Sequence, residues 1–306
     1  MSMKTKKIIA GKNSALFHQP CPVCGSQKYN ILYKDNLSPK RPLIGYNFTP
    51  EAKKTFRIIQ CIECSHAYCS PTPNNIYENY IKVVDDVYLK DTSSRITSAK
   101  KVIKILLRYK KNGRLLDIGC STGDFLKVAS KYYECEGLEI SKWAVKIARQ
   151  NRFIINERLL SNLNLNKTYD IITLWGVIEH FEDMQREIRL LKKHLNKKGV
   201  VALWTGNVDS YVVGLLGRKW WHFIGQHLHF FTAKSIDRLF LNNGFTKIYY
   251  GTYPYVKSLQ SISYSLNVYP IVGKLFSLLF DNRFGAKIHI KLSLPSEMFI
   301  IYQFKG

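Results

Sequence analysis

The stretch Arg114-Leu-Leu-Asp-Ile-Gly-Cys-Ser-Thr-Gly-Asp-Phe-Leu126 decides how the chain is read. Leu115, Leu116 and Ile118 form a short apolar run, as a strand buried inside a parallel sheet would. Gly119 and Gly123 then permit a tight turn and close approach of a ligand to the backbone. From Asp124 an apolar-periodic segment follows (Phe125, Leu126, Val128, Ala129), so the spacing predicts strand, glycine turn and helix start. Such a helix start offers N–H groups and a positive dipole end to a ligand. The spacing is Gly-x-x-x-Gly and no Gly-Lys-Ser/Thr follows, which argues against both the dinucleotide fingerprint and a P-loop.

Two acids narrow the reading. Asp117 precedes the first glycine, and Cys135-Glu-Gly-Leu-Glu-Ile-Ser141 reads as the next strand, ending at Glu139. Glu139 stands about 20 residues after Asp117, where an α/β fold places the carboxylate that binds a ribose diol. A carboxylate suits that task because it has two acceptor oxygens for two hydroxyl donors.

These blocks, together with Tyr169-Asp-Ile-Ile-Thr-Leu-Trp-Gly-Val-Ile-Glu-His180, resemble the class I S-adenosylmethionine (SAM) dependent methyltransferases over residues 95 to 250. The resemblance implies an α/β fold with a Rossmann-like seven-stranded sheet. It implies SAM as cofactor, with Glu139 on the ribose and Asp117, Gly119, Cys120 and Gly123 at the methionine end. Trp175 and Gly176 would pass under that end, contributing mainly backbone. Family members carry an acid after the third strand for adenine; here Asn156-Glu157-Arg158 stands in that region.

The net charge of +24, from 46 basic and 22 acidic side chains, points to anionic partners: nucleic acid, phosphorylated sugars or an acidic membrane surface. The competing reading is solvated surface in a chain rich in Lys, Asn, Ile and Tyr. No window approaches the ~18 apolar residues that span a bilayer. The first ten residues lack the apolar core of a signal peptide. Both features favour a cytoplasmic location.

Cys21-Pro-Val-Cys24 and Cys61-Ile-Glu-Cys64 form two Cys-x-x-Cys pairs. Each places two thiolates on one point, and two such knuckles complete a tetrahedral Zn²⁺ site. Four thiolates leave no open position, so this zinc is structural. A redox role is disfavoured because neither pair opens a helix after a strand. A hairpin of Tyr29–Tyr33 with Thr55–Gln60 fits between the pairs, and His66 and Cys69 read as packing residues. Cys64-Ser-His-Ala-Tyr-Cys-Ser-Pro-Thr-Pro73 resembles the end of the knuckle in a subgroup that couples an N-terminal zinc ribbon to the SAM domain. Members lie among sugar and surface-polysaccharide enzymes, so the resemblance implies a sugar-type acceptor and a Tyr-rich lead-in, here Tyr77, Tyr80 and Tyr88. The division expected is a ribbon at 1–73, a SAM-binding core at 74–254, and a region at 255–306 holding an insertion and the last strand.

Arg218-Lys-Trp-Trp-His222 and Gly225-Gln-His-Leu-His-Phe-Phe-Thr232 concentrate histidines and aromatics after the fifth strand. Histidine is suited to accept a proton near neutral pH, and aromatic faces stack on sugars or bases. His180, His227 and His229 are the candidate bases. A His-x-His strand would put the last two rings on one face. A second metal site here is conceivable but lacks an evident further ligand cluster. Within the insertion, Ile271–Phe280 is apolar on nearly all sides and flanked by Lys274, Arg283 and Lys287. It reads as a packing element, with a lid, a dimer contact or a peripheral membrane contact as alternatives. The function expected is methyl transfer to a nucleotide sugar or surface glycan. RNA methylation is the second choice, supported by charge, ribbon and aromatics, though no Asn/Asp-Pro-Pro-Tyr motif follows the fourth strand. A non-catalytic SAM-binding protein is the third.

Overall fold

A computed structural model describes residues 19–36, 54–71, 77, 80–163, 166–267 and 269–306. The basic start of the chain and Pro73 lie outside these residues. In chain order the strands are β1 (Tyr29–Tyr33), β2 (Ile58–Cys61), β3 (Ala67–Cys69), β4 (Arg114–Ile118), β5 (Glu134–Leu138), β6 (Ile154–Asn156), β7 (Tyr169–Trp175), β8 (Leu195–Gly206), β9 (His229–Phe230), β10 (Phe245–Gly251), β11 (Tyr255–Ser258), β12 (His289–Leu292) and β13 (Glu297–Phe304).

Seven of them make one mixed sheet in the order β10-β13-β8-β7-β4-β5-β6. The strands β6, β5, β4, β7 and β8 run parallel. β13 runs antiparallel between β8 and β10. Successive side chains of a strand point to opposite faces, and the two faces carry separate cores. Leu116, Ile172 and Leu174 pack with Ile188, Leu191 and Phe240 on one side. Leu115 and Ile171 pack with Val102, Leu126 and Val145 on the other.

The helices that cover these faces include α1 (Thr92–Leu106), α2 (Asp124–Ala129), α3 (Lys142–Gln150), α4 (Met184–Lys193) and α5 (Ala233–Leu241). Ser141 caps α3 by accepting from Ala144 N at 3.2 Å. Thr232 and Ser235 form a reciprocal capping box on α5. Gly244, at φ 84°, stops the chain beyond it. The apolar spacing of Val102, Ile103, Ile105, Leu106 and Tyr109 predicts a helix over 98–109, and α1 instead begins six residues earlier. Ser94 and Ser98 are buried there, and Ser98 Oγ donates to Ser94 O at 3.0 Å. A hydroxyl satisfied this way can sit on an inward helix face.

β1, β2 and β3 form an antiparallel ribbon whose fourth strand is β9, with Tyr68 opposite His229 and Ala67 opposite Phe230. The N-terminal ribbon therefore borrows a strand from the histidine-rich segment after β8. The stretch 255–294 forms a β11–β12 hairpin carrying α6 (Leu259–Leu266), α7 (Pro270–Phe280) and α8 (Arg283–Lys287). The apolar face of α7 is open: Ile271 is 89% and Leu278 76% exposed. α7 packs on α6 through buried Gly273, as a packing element would, while its outer apolar face stays open. No described helix is long and apolar enough to cross a membrane.

Candidate functional site

The carboxyl ends of β4, β5 and β7 bring the predicted cofactor residues to one rim, as open parallel sheets do. Gly119 adopts φ 68°, and a Cβ there would stand 2.6 Å from Val177 Cγ2. The turn after β4 thus lies against the residue that follows Gly176. Gly123, at φ 84°, precedes α2, and a Cβ on it would meet the Phe153 ring at 2.9 Å. Gly176, at φ 68°, backs onto the Trp204 ring. Cys120 is buried, and burial holds its thiol well above the usual range.

Asp117 is buried at the end of β4 and accepts from Thr173 Oγ1 at 2.6 Å. Burial pushes its carboxyl up to about 7, with Glu139 adding to the rise and Thr173 opposing it. The Glu139 carboxylate faces inward. Oε2 accepts from Ser121 N at 2.9 Å, and Oε1 from Ile140 N and Ser141 N at 2.8 Å each. A carboxylate has about four acceptor positions, so three amides leave one position on Oε2 for a further donor. Burial raises the Glu139 carboxyl, and those three amides lower it.

Two buried polar atoms near this rim lack partners: Thr122 Oγ1 in the turn, and Trp175 Nε1 at the end of β7. The Trp175 ring packs against Phe125, Tyr253 and Phe299. Tyr88 stands over the turn, with Arg95 stacked on its ring at 3.5 Å and Arg95 Nε donating to Asp124 at 2.7 Å. Glycines at positive φ, two orphaned polar groups and two buried acids form a chemically suitable cradle for SAM, a cation with hydroxyls, an ammonium and a carboxylate. In the third-strand region Glu157 pairs with Arg149 at 3.3 Å, and Asn156 Nδ2 donates to Glu136 at 3.4 Å.

The candidate bases separate. His180 Nδ1 lies 2.9 Å from Gln226 O and 2.8 Å from Tyr80 Oη, while Tyr80 O–H donates to Gln226 Oε1 at 3.3 Å. Donation to a carbonyl assigns the proton to Nδ1 and the lone pair to Nε2. Burial pushes the ring down to about 4, with the Gln226 carbonyl opposing. His227 donates from Nδ1 to His222 O at 2.8 Å, and its ring meets His180 edge-on at 4.6 Å.

His229 is elsewhere. Its Nε2 donates to Phe181 O at 2.9 Å, and its Nδ1 is 3.2 Å from His66 Nε2. Both nitrogens are committed in the ribbon junction, so the ring has no lone pair for an acceptor. His227 precedes β9 rather than lying on it, and the two rings do not share a face as the His-x-His spacing implied. Sequence reasoning placed Tyr80 only in the Tyr-rich lead-in and left Glu179 and Glu297 without roles here. Glu297, on β13, takes Trp204 Nε1 and Trp221 Nε1 at 2.7 Å and His222 Nε2 at 3.0 Å. The acid in Glu179-His180 was the visible signal, but its partners lie on other strands.

At the ribbon, the sulfurs of Cys21, Cys24, Cys61 and Cys64 lie within 4.8 Å of one another, with 3.5 Å between Cys21 and Cys64 and between Cys24 and Cys61. A tetrahedron with ~2.3 Å Zn–S bonds has edges of about 3.8 Å, so the set suits Zn²⁺. The knuckles repeat one geometry. Gly25 N donates to Cys21 O and Ser65 N to Cys61 O, and Gly25 and Ser65 both have positive φ. Hydrogen bonding from Cys21 lowers the Cys64 thiol to about 5.

A family model described as a methyltransferase domain matches residues 91–250, more than half of the chain. The chain belongs to that family, the class I SAM-dependent methyltransferase domains. It is 32% identical over 123 residues to the "Probable tRNA methyltransferase 9B" of Homo sapiens, covering 39% of this chain and 25% of that protein. It is 30% identical over 159 residues to the "Ubiquinone biosynthesis O-methyltransferase" of Pelagibacter ubique, covering 48% and 62%. The solved structure of a SAM-dependent methyltransferase from Archaeoglobus fulgidus is 18% identical, with a TM-score of 0.48, covering 72% of this chain and all of that one. The chain thus spans a quarter to under two thirds of the curated relatives' length.

Proposed function

We propose that the protein transfers a methyl group from SAM to a hydroxyl of a sugar-type acceptor, a nucleotide sugar or surface glycan, with His180 receiving the acceptor's proton. SAM supplies an activated methyl on a sulfonium. Asp117, the turn from Gly119 to Gly123, Trp175 and Gly176 hold its methionine end, and Glu139 takes a ribose hydroxyl. The carrying observation is the placement of His180: Nδ1 is held by Gln226 and Tyr80, and the ring stands at the rim beside Gly176, just beyond Trp175. A hydroxyl is a poor nucleophile until deprotonated, and a positioned imidazole supplies that step. His227 serves as positioning partner to His180. Similarity to ubiquinone O-methyltransferases over 48% of the chain supports oxygen as the methylated atom.

Similarity to probable tRNA methyltransferases over 39% of the chain, with the +24 charge, favours RNA as the second reading. Transfer of labelled methyl from SAM into extracts, with and without ribonuclease, separates the two. Label in small acidic or glycan material that survives the nuclease supports the sugar acceptor. Label in RNA that the nuclease reduces to nucleotides overturns it.

A further inference from the structure

Behind His180 lies a second cluster. One ligand atom each from Glu179, His222 and His227 falls within 4.8 Å of the others, and all three residues are buried, at 2%, 5% and 8% exposure. They reach one point from three places: the turn after β7, the loop after β8, and the approach to β9.

The outer bonds of this cluster are those of a metal site. A ligating histidine characteristically donates its other ring N–H to a carboxylate or a backbone carbonyl. His222 Nε2 lies 3.0 Å from both oxygens of Glu297, and His227 Nδ1 lies 2.8 Å from His222 O. Those bonds put the imidazole lone pairs on His222 Nδ1 and His227 Nε2. Glu297 is itself fixed by the indole N–H groups of Trp204 and Trp221. Glu179 Oε2 accepts from Thr205 Oγ1 at 3.0 Å. Among the described residues Glu179 pairs with no lysine or arginine. A buried carboxylate left in that state is costly unless it is protonated or meets a cation.

We propose that Glu179, His222 and His227 form a second metal site that takes a divalent transition ion of the Zn²⁺ class. Two imidazoles and one carboxylate are a borderline nitrogen and oxygen set, which suits Zn²⁺, Co²⁺ or Fe²⁺ rather than Mg²⁺ or Ca²⁺. Three protein ligands leave a position for water or an oxygen of an acceptor. The site is chemically distinct from the four cysteines, and it stands whichever acceptor the enzyme uses.

The test is metal uptake by the full-length protein, depleted with chelator and then titrated with Co²⁺. Two classes of ion are expected. One carries the thiolate-to-cobalt charge-transfer band of the cysteine set. The other shows only the weaker ligand-field bands of a nitrogen and oxygen site. Glu179→Gln and His227→Ala should each remove the second class and keep the thiolate band. Glu297→Gln should weaken the second class by about 10–100-fold through His222. Folded wild-type protein that takes up only thiolate-bound cobalt overturns the site, as does unchanged uptake in both Glu179→Gln and His227→Ala. If a variant fails to fold by circular dichroism, the wild-type spectrum still decides. Loss of the thiolate band alone would count against the cysteine site and not this one.

Discussion

His66 and His229 share a hydrogen bond across two parts of the chain, with His66 Nε2 3.2 Å from His229 Nδ1. Since His229 donates from Nε2 to Phe181 O, its Nδ1 must accept, and His66 is the donor. The bond continues the β3–β9 ladder, so it ties the cysteine ribbon to the segment before α5. Burial pushes His229 down to about 4, so the pair is neutral near pH 7. His229→Ala should therefore cost stability rather than chemistry: about 1–3 kcal/mol, because His66 is left buried and unpaired. Turnover per folded molecule, measured with SAM saturating, should remain within a few-fold. A loss of several orders of magnitude without a fall in melting temperature would return His229 to the list of bases.

His180 should behave in the opposite way. His180→Asn removes the lone pair presented at Nε2 and should lower kcat by about 10²–10⁴-fold, the usual worth of general base catalysis. SAM affinity should hold. Because burial lowers the ring to about 4, it is already neutral at pH 6. The rate should not fall between pH 8 and pH 6 on its account. Tyr80→Phe removes only a partner of Nδ1, so its effect should be smaller. Equal kcat in His180→Asn and the wild type would eliminate the residue as base.

The legible parts of this fold were local. Tyr169–Trp175 stands in the structure as a single strand within the block its apolar run marked. Thr232 caps its helix and Gly244 stops it, because cap chemistry depends on near neighbours. The four cysteines converge as their spacing required. What stayed hidden was long-range. No period in the sequence announces that Tyr68 pairs with His229, or that Glu297 reaches His222. The spacing of His227 and His229 suggested one shared face because it assumed a strand, and β9 begins only at His229. The open face of α7 was hidden for a related reason. An apolar helix reads alike whether the chain covers it or not.

Asp117, raised by burial, should make SAM binding sensitive to pH. Its carboxyl is raised from 3.8 to about 7 by burial, so its charged fraction grows between pH 6 and pH 8. A sulfonium and an ammonium favour the charged form, and SAM affinity should rise over that interval, by at most about tenfold per unit below the pKa. Calorimetric titration at three pH values checks this, and Asp117→Asn should flatten the curve. The same shift acts on the free protein in reverse. From about pH 4 to about 7 the folded state holds a proton that the unfolded chain has released, so this group's contribution to stability falls as pH rises. A SAM affinity that falls with pH in the wild type would contradict the assignment.

Removing metal from the ribbon should reach beyond it. Structural zinc supplies folding free energy directly, and β9 joins the ribbon to the histidine-rich segment after β8. Chelation, or Cys64→Ser, should therefore speed amide exchange in β2 and β3 and also at His229 and Phe230. The strands β4, β5 and β7 should keep their protection, because their partners lie within the seven-stranded sheet. Exchange confined to the two knuckles would mean that β9 holds its place without the metal.

The exposed apolar face of α7, ringed by cations, gives a testable expectation: the protein should bind an anionic bilayer peripherally. Ile271, Leu275, Leu278 and Leu279 are more than half exposed, as is Phe284 on α8. Lys274, Arg283 and Lys287 are exposed around them. Apolar side chains ringed by cations fit the boundary between acyl chains and acidic headgroups. A protein partner would instead call for an acidic counter-surface, which a copy of this chain at +24 supplies poorly. Sedimentation with vesicles containing phosphatidylserine should recover the protein, and neutral vesicles should recover much less. Leu275→Ser with Leu278→Ser should weaken binding by about a hundredfold or more, since two buried leucines at about 1.5–3 kcal/mol each sum to at least about 3 kcal/mol. Added salt should weaken binding to the anionic vesicles while leaving the leucine contribution in place. Equal recovery of the double variant would show that these leucines face something other than lipid, and concentration-dependent dimerisation in the absence of vesicles would identify it as a second copy.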